Sequence, residues 1–404
     1  MPYTRVMRLF LLGALLATEA PNTTGGEARS GSKAYRGSQV CAECHQELVD
    51  SYLATAHHRT SGKPDKDLMM GRFDRDHRVL QSQNPALRWE MTSTRRGYFQ
   101  TATIEKGGKR LFERAERMDI IIGSGKIGQT YLFWDGSRLY QLPISYFTQG
   151  EGWAYSPGYA DGEVNFGRPI VTRCLECHAT YIESASYTDN RYGKKSYVLG
   201  VSCERCHGLG ADHEAYHRAS PTPVGPDPIV NPVRLDRQAQ FDVCNQCHAG
   251  VGTPLGAPFS YSPGDVLEEH IKIDWRVVKK AAGVHASGPY ARLSKSRCFQ
   301  ENDQITCNTC HDSHREERGD LAAFSARCAT CHDPEVCGKH GQLGAEIQEN
   351  CIDCHMPFGE APSVAMAMPG GFQAPLIRDH FIAKHPKATR QFLDRRSQRK
   401  NGRT

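Results

Sequence analysis

The sequence predicts a mainly α-helical chain with extensive loops and one small inserted antiparallel β region. Three observations predict it. The pattern Cys-x-x-Cys-His occurs seven times in 404 residues. Only 39% of residues are hydrophobic, and the mean hydropathy of −0.56 is low for so long a chain. Between the first and second copies of the pattern, β-branched and aromatic residues gather into strand-like runs.

Each copy reads as a c-type haem attachment site. The cysteine pairs are Cys41 and Cys44, Cys174 and Cys177, Cys203 and Cys206, Cys244 and Cys247, Cys307 and Cys310, Cys328 and Cys331, and Cys351 and Cys354. Their thiols add to the haem vinyl groups. The next residue becomes the proximal iron ligand: His45, His178, His207, His248, His311, His332 and His355. A redox dithiol or half a zinc site needs no histidine at that place. The fold class follows: short helices and loops organised round seven covalently bound c-type haems. The haems supply the apolar bulk that the polypeptide lacks, so no stable fold is expected without them.

Five segments follow in order. Residues 1–25 read as an export signal. Arg5 and Arg8 precede the apolar run Leu9–Ala17, with small residues near Ala20. Pro21 makes that cleavage site awkward, and an uncleaved anchor is the alternative. The run is too short to span a bilayer. Haem attachment takes place outside the cytoplasm, so a periplasmic or extracellular location is expected. Residues 26–65 hold the first motif.

Residues 66–170 are the strand-rich insert. Tyr98–Ile104 is β-branched and aromatic. Gly107-Gly108 marks a turn, and Leu111–Ile122 resumes the pattern. Gln129–Trp134 and Ser137–Leu142 flank Asp135-Gly136, a hairpin signal. Gly123, Gly125 and Gly128 match a dinucleotide fingerprint by spacing, but strand-like residues follow where that site needs a helix. Residues 171–360 form a six-haem core. Within it, the proline-rich stretch 219–235 reads as a surface loop. Residues 361–404 end in a basic tail. Such tails are usually solvated or disordered, though this one could dock an acidic redox partner or a membrane surface.

The formal charge is +5. Two propionates per haem offset it, adding roughly −7 for seven oxidised haems. The sequence pI of 8.4 therefore gives no reason to expect nucleic-acid binding. The expected partners are redox proteins or a quinol-oxidising membrane complex, and a homo-oligomer is open.

Several segments resemble the multihaem c-type cytochromes related to nitrite reductase and hydroxylamine oxidoreductase, above all a branch often fused to tetratricopeptide repeats. They are Gly37–His45 with Thr55-Ala56-His57, Ile122–Gly125, Tyr131-Leu132, Leu142-Pro143, Ser156–Tyr159, Arg168–Ile170, Cys203–Gly208 with His213, Thr306–His314, Cys351–Pro357 and Asp379-His380. No helical repeat array stands in these 404 residues, so a docking role built on one is not carried over. The resemblance implies distal ligands at His57 and His213.

The sixth iron ligand decides function. A second histidine saturates the iron for electron transfer, whereas an open position admits substrate. Eleven histidines lie outside the motifs. His314 cannot cross to the far face of the haem held by His311 but can ligate a stacked neighbour. His57, His213, His314, His340 and His380 rank first as distal ligands, and His77 and His285 follow. His58, His217, His270 and His385 read as spectators. Cys298 and Cys337 could form a disulfide or remain free. The sequence thus favours an electron carrier with mostly bis-histidine haems. The alternatives are an oxidoreductase with one five-coordinate haem acting on a small nitrogen or sulfur compound, and a subunit of a haem-wire assembly. No catalytic residue can be named.

Overall fold

The computed structural model describes residues 35–400 and 402, apart from 281, 282 and 286. The expected export signal over 1–25 lies outside the described residues.

Helix α1 (Ser38–Leu53) carries the first motif and loses helical geometry at His45. The chain then enters strand. A four-stranded antiparallel sheet is built from β2 (Val79–Gln81), β3 (Leu87–Thr94), β4 (Gly97–Lys106) and β5 (Lys109–Arg117), in that order; β1 (Ser61–Gly62) precedes it and joins a second sheet. In β3 alternate residues Leu87, Trp89 and Met91 are buried, the period of a strand with one face on a core. Edge strand β5 is charged and exposed, which discourages pairing with another chain.

The second sheet has eight strands. It contains β1, β6 (Ile120–Ile122), β7 (Gly128–Asp135), β8 (Arg138–Gln141), β9 (Ile144–Phe147) and β10 (Gly152–Tyr155). Two strands from much later, Met366–Met368 and Gly371–Gln373, extend it beyond β10. The expected hairpin at Asp135-Gly136 is present, with Asp135 opposite Arg138. The glycine-rich turn opens into β7, as its strand-like sequel implies. Gly123 has a φ of 108° there, and its amide donates to Thr60 O at 2.6 Å.

The two sheets share one core around Trp89, Tyr131, Trp153 and Tyr155. Trp89 Nε1 donates to the Tyr155 hydroxyl at 3.0 Å. The buried Gln100 amide donates to Ile144 O and accepts from Ile144 N at 3.1 Å, tying one sheet to the other. A second cluster, with Ile120, Leu132, Leu139, Leu175 and Tyr192, joins the eight-stranded sheet to α2 (Thr172–His178) and to the hairpin of β11 (Ala179–Ser184) and β12 (Tyr192–Leu199).

The mainly α expectation is therefore corrected. About one-third of the described residues are helix and about one-quarter strand. The β region is larger than a small insert for two reasons. Strands such as β6, β9 and β10 are buried runs of three or four residues, too short to show a period. The strands at 366–373 lie far along the sequence from the sheet they complete. The basic tail is also not disordered over its described part. Residues Pro386–Lys400 form a helix, held by an ion pair from Arg396 to Glu346.

Candidate haem-binding sites

In five of the seven motifs the histidine sits at or beside a helix end. Helix α2 ends on His178, α3 (Glu204–His207) on His207, α5 (Arg237–His248) on His248, and Ile352–His355 on its last residue; in α1 the break falls on His45. Two cysteines three apart share one helical face. The histidine after them leaves the helix and is free to turn. Its ring is then fixed from behind. Nδ1 of His207 lies 2.8 Å from Val230 O, Nδ1 of His355 2.9 Å from Ala383 O, and Nδ1 of His178 2.9 Å from Thr60 Oγ1. The two carbonyl contacts require the proton on Nδ1 and leave Nε2 for a metal, whereas the Thr60 hydroxyl can donate or accept.

Four motif histidines face a second histidine ring. His45 faces His213 at a centroid separation of 6.3 Å, His57 faces His248 at 6.1 Å, His207 faces His314 at 6.0 Å, and His311 faces His380 at 6.1 Å. A metal–imidazole bond of about 2.0–2.1 Å, plus ~1.1 Å from nitrogen to ring centre, puts two rings on one iron about 6.3 Å apart. The four gaps fit an iron between the rings. Burial lowers the pKa of His57, of His207 and of His380, and pushes His311 down to about 4 with help from neighbouring His380. They are thus held neutral, the form that binds metal.

The remaining candidates stand elsewhere. Among the described residues no histidine ring faces those of His178, His332 or His355 at such a distance. His340 begins the short helix His340–Leu343. His77 hydrogen-bonds Asp74 in the strand-rich region. His285 Nδ1 accepts from Ser287 N at 3.0 Å. Of those read as spectators, His217 bonds Asp227, His270 bonds Ser260 and His385 bonds Phe381 O. Cys298 and Cys337 are free thiols. The first neighbours Cys310 and Cys328, the second Cys351 and Cys354.

The motifs also touch one another. Glu204 of the third accepts from Arg36 N at 2.7 Å and Gly37 N at 2.9 Å, at the entry to the first. Arg205 and Arg173 knit the second, third and fourth. Arg205 Nη2 donates to Glu176 O at 3.1 Å, Arg173 Nη2 to Gln246 O at 2.7 Å, and Gln246 Nε2 to Arg205 O at 3.2 Å. The Cys244 and Cys307 thiols meet between the fourth and fifth. Arg327 Nη1 donates to Cys310 O at 2.9 Å, joining the sixth to the fifth, and Cys351 N to Ser325 Oγ at 2.9 Å, joining the seventh to the sixth.

One buried atom tests whether haem fits. Arg205 Nε is buried with no hydrogen-bond partner. An orphaned guanidinium nitrogen beside two motifs is what a haem propionate would satisfy.

A family model described as cytochrome c554 and c-prime matches residues 162–208, the stretch with the second and third motifs. The C-type polyheme cytochrome OmcC of Geobacter sulfurreducens (strain ATCC 51573 / DSM 12127 / PCA) is 32% identical over 215 residues, covering 46% of this chain and 26% of OmcC. The multiheme cytochrome MtrA of Shewanella baltica (strain OS185) is 22% identical over 213 residues, covering 49% of this chain and 55% of MtrA. The chain is a multihaem c-type cytochrome. Haem is its cofactor. The crystal structure of the outer cell wall cytochrome OcwA covers 89% of this cytochrome and 81% of its own chain, with a TM-score of 0.52 and 16% identity, a likeness of fold. The cytochrome spans well under two thirds of OmcC or MtrA. The matches reach the multihaem class and do not single out the nitrite reductase and hydroxylamine oxidoreductase branch or the repeat-fused branch expected from the sequence.

Two functional features were missed in the sequence. The loop 219–235 was read as plain surface, yet its Val230 O fixes His207 and its Asp227 bonds His213 at 2.6 Å and His217 at 2.9 Å. Its interrupted run Pro221, Pro223, Pro226 and Pro228 was a signal of rigidity as much as of exposure. The Arg173–Glu176 ion pair was missed because its partners are adjacent on α2 and look like any exposed helical pair.

Proposed function

We propose that this cytochrome is an exported seven-haem electron carrier. Electrons enter at one exposed haem edge, hop between neighbouring haems and leave at another. The observation that carries this reading is the set of four histidine pairs 6.0–6.3 Å apart. Two imidazoles on one iron leave no place for substrate and suit electron transfer. In this reading His213 ligates the haem of the first motif, His314 that of the third, His57 that of the fourth and His380 that of the fifth. The protein would hold each haem by two thioethers and an imidazole, and set its potential through burial and hydrogen bonds.

Among the described residues no helix is long and apolar enough to cross a membrane. The partners are redox proteins. The helix Pro386–Lys400, with Lys387, Arg390, Arg395 and Arg399, offers a basic surface for an acidic one.

Resting-state EPR with parallel haem quantification tests the reading. The expected result is seven haems per chain, with His57→Ala, His213→Ala, His314→Ala and His380→Ala each turning one low-spin haem high-spin. Variants that leave the low-spin count unchanged overturn the ligand assignment. A high-spin ferric signal in the unaltered protein that shifts on adding nitrite or hydroxylamine replaces the carrier with an enzyme.

A further inference from the structure

We propose that Asp227 lowers the reduction potential of the haem at the first motif, acting through His213, with His217 holding the carboxylate in place. The inference rests on His213 being that haem's distal ligand.

Helix α4 (Ala211–Ala219) presents His213 and, one turn on, His217. The His213 ring lies nearly parallel to that of His45, 15° apart. Behind it, Nδ1 is 2.6 Å from Asp227 Oδ1. His217 Nε2 is 2.9 Å from Oδ2 of the same carboxylate. Both oxygens are thus engaged by imidazoles, whose rings stand 4.6 Å apart, edge to face.

Asp227 is held where it must be for this. Pro226 and Pro228 flank it, which fixes the backbone before it and restricts its own. The Tyr216 hydroxyl donates to Gly225 O at 2.8 Å, pinning the loop to α4.

Other histidines of the motifs and their pairs are backed differently. Nδ1 of His207, of His355 and of His380 meets a backbone carbonyl, and that of His178 a threonine hydroxyl. Asp312 stands 3.6 Å from His314 Nδ1, beyond hydrogen-bond distance. A carboxylate draws the Nδ1 proton toward itself and makes the ring a stronger donor to iron. That stabilises the ferric state and lowers the potential. The haem at the first motif becomes a strong reductant toward its neighbour at the third.

The test is a potentiometric EPR titration of the intact cytochrome. Asp227→Asn keeps the shape and removes the charge. It should move one low-spin signal to a more positive potential, the same signal that His213→Ala abolishes, with the others unmoved. Asp227→Glu should restore it, and His217→Gln should give a smaller positive shift. Unchanged potentials in Asp227→Asn, with His213→Ala still costing one low-spin signal, overturn the inference alone. A low-spin count unmoved by His213→Ala overturns the ligand assignment beneath it. Stoichiometric Zn(II) binding that Asp227→Asn abolishes also overturns it, since the three groups lie close enough to hold a cation.

Discussion

Glu317 and Arg327 show how single side chains hold the haem-motif half together. Arg327 reaches from the helix Leu321–Ala329 to Cys310 O at 2.9 Å and pairs with Glu317. The hydrogen bond from Arg327 holds the Glu317 carboxyl below its ordinary value of 4.5. The stability it contributes is therefore complete above about pH 4.5 and is lost as the pH falls through the lower folded value. Acid loosening of the fifth and sixth motifs, followed by hydrogen exchange, should begin below that pH. Glu317→Gln should abolish that acid dependence while weakening the region at neutral pH. At this scale much was legible. The spacing of cysteines and histidines names the attachment chemistry without any structure. The pairing of rings was less so. His45 meets His213 and His57 meets His248 only because separate segments fold together, and no local spacing records that. His314 was the exception: three residues from His311, it had to serve a neighbour, and it faces His207.

Among elements, α2 places the second motif between the sheet and the other motifs. Arg173 and Glu176 on it are 5% and 3% exposed and paired at 3.1 Å. Arg173 also donates to Val251 O at 2.6 Å and to Gln246 O. Glu176 accepts from Phe259 N at 2.7 Å and from the Tyr187 hydroxyl at 2.6 Å. Removing one partner leaves the other buried and unpaired. Arg173→Ala should cost about 3–5 kcal/mol in denaturant unfolding, and Arg173→Lys should recover part of it. The hairpin at Asp135-Gly136 was readable because its turn chemistry is local. The run Leu111–Ile122 was not, since at Met118 and Asp119 the chain leaves one sheet and enters the other. Its charged first part belongs to β5 of one sheet and its apolar end to β6 of the other.

For the whole molecule, the aromatic core lies in the strands, and the region from 297 to 360 has few buried apolar side chains: Leu343, Ile347 and Ile352. Low hydropathy, read along the sequence, predicted dependence on haem for the entire chain. The distribution of buried side chains narrows that expectation to the region 297–360. Protease treatment of the haem-free chain should leave the strand-rich segment protected and digest 297–360 quickly. Mass spectrometry of the fragments checks it, and uniform digestion would refute it.

The contacts between motifs also have a consequence in the language of networks. The first four interlock through Glu204, Arg205 and Arg173. The sixth and seventh adjoin each other through Ser325. Between these groups stands the fifth, reached from one side through His314 and Cys307 and from the other through Arg327. In the proposed carrier the fifth haem would act as a bridge between the two groups, and a defect there would reach both.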